Sequence, residues 1–156
     1  MSNIGIRGFY TITDTIKDNL LLDVNVNTVT TGDITEIDLT KQTIFPLSHI
    51  IVNNVTAEET VLRFNLTVMC MDVVNEDKEA ESDIFIGNDN EQDILNSQLA
   101  VLNRIIIQLR RGSLHTEKYQ LDGDPLCEPF YERFENRLAG WACTMDILIP
   151  NDVSRC

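Results

Sequence analysis

The sequence predicts an α+β domain with an N-terminal helix, an antiparallel sheet containing a long β-hairpin, one long helix packed on the sheet, and a closing C-terminal strand. Three stretches carry this prediction. Between Asn90 and Arg111, Leu95, Leu99, Leu102, Ile106 and Leu109 recur at steps of four, three, four and three, and Ile94, Val101 and Ile105 widen that stripe. From Val61 to Val74, Leu62, Phe64, Leu66, Val68 and Cys70 alternate with polar Arg63, Asn65 and Thr67. Near the end, Trp141, Cys143, Met145, Ile147 and Ile149 alternate with Ala142, Thr144, Asp146 and Leu148 until Pro150 stops the run. A helical period set among strand periods describes a sheet covered on one face by a helix.

Each element has a local reason. Phe9, Ile12, Ile16 and Leu20 are helically spaced, with Asp14, Lys17 and Asp18 off the stripe, so Gly8 to about Leu22 reads as the first helix. Val24–Thr31 (VNVNTVTT) alternates as a short extended segment ending at Thr31-Gly32-Asp33. The next run, ITEIDLTKQTIF, reads as an edge strand or a long loop. Pro46 breaks the pattern; Leu47–Val55 is a strand, Thr56–Glu59 a polar turn, and residues 47–74 a hairpin. Beyond Cys70 both faces turn apolar through Met69, Met71, Val73 and Val74, so that end is expected to be covered on both sides.

Asn75–Asp93 holds eight acidic residues and one lysine, which predicts an exposed excursion. Ile84, Phe85 and Ile86 interrupt it with an apolar cluster suited to docking on the parent domain or on a neighbour. Asp89 or Asn90 caps the start of the long helix, and Gly112 is placed for a left-handed cap after Arg110-Arg111, a pair that suits the negative helix end. Ser113–Phe134 reads as irregular, with a DGDP turn.

The 156 residues are one domain's length, residues 1–156, with the acidic excursion at about 75–93. A net charge of −13 argues against gripping nucleic-acid phosphates, which needs a basic footprint; it suits either plain solubility or a conduit wall that DNA passes without sticking. No apolar run spans a membrane, and the start MSNIGIRGFY lacks a secretory pattern, so the chain is expected to be used without crossing one.

Enzymatic chemistry is not expected. The phosphate-binding G-x-x-x-x-G-K-[ST], the G-x-S-x-G elbow and the H-E-x-x-H zinc motif are missing, and the seven glycines never cluster. Cys70, Cys127, Cys143 and Cys156, with His49 and His115, lack zinc-ligand spacing, while Cys70 and Cys143 fall on apolar strand faces as small hydrophobes. Cys127 with His115 has no supporting context for nucleophilic catalysis, and Asp122/Asp124 read as a turn before a calcium site. No cofactor or metal is expected.

Glu132–Arg137 packs alternating charge around Phe134, the composition of a subunit boundary as well as of a solvated turn. Arg133, Phe134, Glu135 and Arg137 therefore join Ile84, Phe85 and Ile86 as candidate interface residues.

Residues 135–152 (ENRLAGWACTMDILIPND), with EPFYERF before them and the helix NEQDILNSQLAVLNRIIIQLRRG, resemble structural proteins of the tailed-bacteriophage neck, of the tail-terminator or tail-completion type. The resemblance covers nearly the whole chain in element order and is concentrated in residues 45–75 and 90–150. It implies a ring of self-associated subunits, typically six, in the virion at the head–tail junction. Its partners would be connector and tail proteins, and DNA would pass through its channel without specific binding. Related adaptor rings, some twelvefold, sit below the portal. A small cytosolic ligand-binding α+β domain is the remaining alternative, and would need a pocket with convergent polar groups.

Overall fold

Alternation along the chain builds a five-stranded sheet, and the two amphipathic helices cover one of its faces. The computed structural model describes residues 8–32, 44–73, 91–112, 119–133 and 138–150. The element order is α1 (Gly8–Leu21), β1 (Thr28–Thr31), β2 (Leu47–Ala57), β3 (Val61–Val73), α2 (Glu91–Arg111), β4 (Gln120–Arg133) and β5 (Leu138–Pro150), with sheet order β1-β2-β3-β5-β4.

The β2–β3 hairpin forms as the sequence predicts, with Leu47 opposite Met71 and Ala57 opposite Leu62. Strand β2 runs through Thr56 and Ala57, however, so the turn is confined to the residues around Glu58, whose N–H bonds Val61 O at 2.9 Å. Phe64, Leu66, Val68 and Cys70 of β3 meet Cys143, Met145, Ile147 and Ile149 of β5 in one core under Ile12, Ile16 and Leu20 of α1 and Val101, Leu102, Ile105 and Leu109 of α2. Each such aliphatic side chain contributes about 1.5–3 kcal/mol on full burial. Met69 and Met71 join Phe45, Leu47, Phe130 and Leu138 in a second cluster, so this end of the hairpin is apolar on both faces, as expected.

Four expectations need correction. The sheet is mixed, because β1 pairs with β2 in parallel, Thr28 opposite Leu47 and Thr31 opposite Ile50. The chain between them exceeds the roughly dozen residues a parallel crossover needs. The extended segment after α1 is also shorter than Val24–Thr31. Asp23 Oδ1 accepts the Asn25 N–H at 2.9 Å, and that turn chemistry delays the strand to Thr28.

Residues 120–133 form a long strand where Ser113–Phe134 reads as irregular, so two strands follow α2. DGDP becomes an irregularity within β4: Gly123 takes φ 73°, and the register with β5 shifts between Asp122 and Leu126. Pro125 and Pro129 are tolerated because β4 is the sheet edge. Finally, Gly112 is not a left-handed cap. Among the described glycines, those with positive φ are Gly32 and Gly123, while the Gly112 N–H keeps a helical bond to Gln108 O at 3.1 Å. The segments 34–43, 75–90 and 113–118 lie outside the described residues, as do Asp89 and Asn90.

Helix α1 buries Ile12, Ile16 and Leu20 as the periodicity predicts and departs from it at its first turn, whereas α2 is rotated from the expected face. On α1, Gly8 is buried and Phe9 is exposed: a Cβ at position 8 would lie 3.0 Å from Leu62 Cδ1, so the helix start rests on the sheet through a glycine. On α2, the buried line is Ile94, Gln98, Val101, Leu102, Ile105 and Leu109, whereas Leu99 is 38% exposed and Ile106 is half-buried. The helices lie side by side and antiparallel. Arg104 of α2 donates to Asn19 O in the last turn of α1 at 2.8 Å, a carbonyl that also accepts the Leu22 N–H at 3.3 Å, and Gln98 Nε2 reaches Asn25 O at 3.5 Å further along.

One polar residue holds the parallel edge in place. His49 is fully buried; its Nε2 donates to Gly32 O at 2.7 Å and its Nδ1 lies 2.7 Å from Thr30 Oγ1. His49→Ala is expected to cost about 1–3 kcal/mol. It should also speed amide exchange at Thr28–Thr31 more than at β3, read by hydrogen–deuterium exchange with mass spectrometry. Uniform protection across both strands would refute the anchoring role.

Candidate assembly surfaces

The residues singled out in the sequence as interface candidates fall where little is described. Ile84, Phe85, Ile86, Phe134, Glu135 and Arg137 lie outside the described residues, and Arg133 is placed only by its backbone, opposite Leu138 at the end of β4. The described surface nonetheless carries a pattern of its own. Tyr10 and Leu21 are 63% and 47% exposed on α1, and Leu22 and Val24 follow them just past its end, also exposed. Leu126 and Tyr131, 65% and 56% exposed, lie on β4.

These are two separate patches, one on the outer face of α1 and its C-terminal end, the other on the edge strand β4. Helix α1 starts over β3 and β5, where Gly8 approaches Leu62 and Ile149, and packs against β1 and β2 further along, whereas α2 lies over β3, β5 and β4. Leu99, Asn103 and Ile106 therefore occupy the flank of α2 turned away from α1. With Cys127 of β4 they line a cleft of about 310 Å³. Arg110 follows on the same flank, one turn past Ile106, and donates to Asp124 Oδ1 at 2.7 Å. A second cleft, about 480 Å³ and lined by Phe9, Ile50 and Val52, opens at Gly32, just past the end of β1.

The sheet face opposite the helices is polar toward the hairpin tip. Asn53 Nδ2 donates to Asn65 Oδ1 at 2.9 Å and to Thr67 Oγ1 at 2.8 Å, and Asn65 donates to Asp146 Oδ1 at 2.8 Å. Arg63 pairs with Asp122 and lies 3.5 Å from Glu58 and 4.0 Å from Asp146. The hydrogen bond to Asp122 raises the guanidinium above its ordinary value, with the three carboxylates adding to it against desolvation. Asp122 and Asp124 thus each face a different arginine and do not converge as a calcium pair. Among the described residues, no group of three His, Cys, Asp or Glu side chains could hold a metal.

The cysteines pack as the alternation predicts. Cys70 and Cys143 are buried, and Cys127 is half-buried directly across from Cys143. Burial pushes the Cys70 thiol up to about 12, the bond from Ser48 opposing it; burial raises Cys143 further, helped by Cys127. Since the thiolate is the reactive form, iodoacetamide at about pH 8 is expected to leave Cys70 and Cys143 unlabelled until the protein is unfolded. Peptide mass spectrometry reads this, and prompt labelling of either in the folded protein would contradict the burial.

Sequence reasoning missed the α2 flank because Leu99 and Ile106 were absorbed into the core stripe. A signal was present: nine apolar residues between Ile94 and Leu109 span more of the helix circumference than one core-facing side requires. No helix among the described residues is long and apolar enough to cross a membrane. No protein-family model matches the chain, and no curated protein aligns with it.

Proposed function

We propose that the chain is a structural subunit of a tailed-bacteriophage virion, of the tail-terminator type. It forms a ring at the head–tail junction, joins the tail to the connector and leaves a channel for DNA. The observation that carries the reading is that two different patches are exposed, Tyr10 and Leu21 on the outer face of α1 and Leu99 and Leu126 along α2 and β4. A two-fold dimer uses one patch twice, whereas a ring needs two different patches that complement each other head to tail. The resemblance of residues 45–75 and 90–150 to neck proteins supplies the setting. The net charge of −13 and the polar sheet face suit a wall that a polyanion passes without adhering. The function is surface complementarity, with no substrate turned over.

Sedimentation of the purified protein across concentration tests this. A discrete sixfold species supports the terminator and a twelvefold species an adaptor ring below the portal. A two-fold dimer, or a monomer at every concentration, sinks the ring.

A further inference from the structure

The ring reading leaves open which surfaces meet, and the two helix flanks answer it. On α1, Tyr10, Asp14, Asp18 and Leu21 follow at steps of four, four and three along the outer face, opposite the buried Ile12, Ile16 and Leu20, with Lys17 beside the two acids. On α2, Leu99, Asn103, Ile106 and Arg110 follow at steps of four, three and four along the side turned away from α1, and Arg111 stands next to Arg110. These are ridges of i±3 and i±4 spacing, the geometry that packs into the grooves of another helix.

We infer that the outer face of α1 of one subunit docks in the α2–β4 cleft of the next, with Leu21 between Leu99 and Ile106 and with Asp14 and Asp18 against Arg110 and Arg111. This rests on the ring reading and gives it a residue-level contact. The occupant is a second copy of this chain, on three grounds. The first is charge: Arg110-Arg111 is the only adjacent basic pair in a chain of net charge −13, and Asp14 and Asp18 are exposed acids on the outer face of α1. A local attraction of this kind lets self-association proceed against the general repulsion between copies.

The second ground is spacing. Leu21 precedes Asp18 by one turn when α1 is read backward, and Ile106 precedes Arg110 by one turn when α2 is read forward. Within a subunit the helices are antiparallel, so a copy docked with that direction preserved brings the apolar pair and the charged pair together in one register. The third is capacity. The cleft of about 310 Å³ has a floor of Ile106 and Cys127, room for a leucine side chain, and the Asn103 amide at its rim. The Arg110–Asp124 pair does not block the exchange, because Asp124 is 93% exposed and such pairs contribute little.

The test is a charge swap read by sedimentation velocity. The variant R110E/R111E and the variant D14K/D18K are each expected to need at least about tenfold more protein to assemble. An equimolar mixture of the two should recover the ring with subunits alternating, as should the chain carrying all four changes. Thermal unfolding of each variant guards against a folding defect, since Arg110 and Arg111 also complement the negative end of α2. If both variants assemble like the unaltered chain, or if neither the mixture nor the combined chain recovers, the contact is wrong while the ring stands. If the unaltered chain never assembles, contact and ring fall together.

Discussion

Gly140→Ala should be among the most damaging single-methyl additions the protein can receive. A Cβ at position 140 would collide with the carbonyl oxygen of Cys70 and lie 2.8 Å from Met71 Cα, and both obstacles are backbone of the neighbouring central strand. A flexible side chain could turn away, but a strand held on both sides has nowhere to go. Gly140 pairs with Met71 of β3 and with Phe130 of β4, so a shift there disturbs both ladders together. The expected loss is about 3 kcal/mol or more. Gly8→Ala provides the contrast, since its nearest obstacles are the terminal methyls of Leu62 and Ile149 at 3.0 and 3.3 Å, which can rotate. Denaturant unfolding of both variants checks the difference. Equal midpoints would mean that β3 and β5 do not approach as closely as described.

Gly140 also marks what could be read in the sequence and what could not. It was legible as the opening of the last strand, because alternation from Trp141 onward identifies faces by residue type alone. The close approach was not, since it depends on which strand lies alongside. The same division holds elsewhere. Strands β3 and β5 and both helices announce themselves because burial on one face imposes a period, and those periods are local. Strand β4 was hidden because Gly123, Pro125 and Pro129 are breakers by composition, and become acceptable only on an edge, where a missing N–H leaves no ladder bond unmade. The parallel direction of β1 was hidden for another reason. Thr28–Thr31 has the same alternation whichever way its partner runs, and the choice is made by the long connection and by the bonds His49 makes to Thr30 and Gly32. As for the candidate surfaces, composition pointed to charge and aromatic clusters in connecting segments, whereas the described surface adds helix flanks whose exposure depends on a rotation of about one residue.

That rotation has a sharp consequence on α2, where neighbouring leucines should behave as different kinds of residue. Leu102 is fully buried among Ile105, Leu109 and the sheet, and Leu102→Ala is expected to lose about 2–5 kcal/mol through lost transfer free energy and the cavity left behind. Leu99, which a step-counting stripe makes equivalent, is 38% exposed, and Leu99→Ala should cost less than about 1 kcal/mol. Next to Leu99, Gln98 is 1% exposed, and its Oε1 has no hydrogen-bond partner. Its single weak bond, 3.5 Å to Asn25 O, recovers little of the cost of burying an amide. Gln98→Met, close in length and apolar, is therefore expected to leave stability unchanged or raise it. Equilibrium unfolding of the three variants settles the helix orientation independently of any assembly. Equal losses at 99 and 102, or a large loss at 98, would turn the helix back toward the face that simple periodicity suggests and would close the cleft on its flank. The predicted order has a reading for the chain as a whole: a leucine that stability does not require, kept at the rim of an apolar cleft one helical turn from Asn103 and three from Arg110, is placed for contact with another molecule.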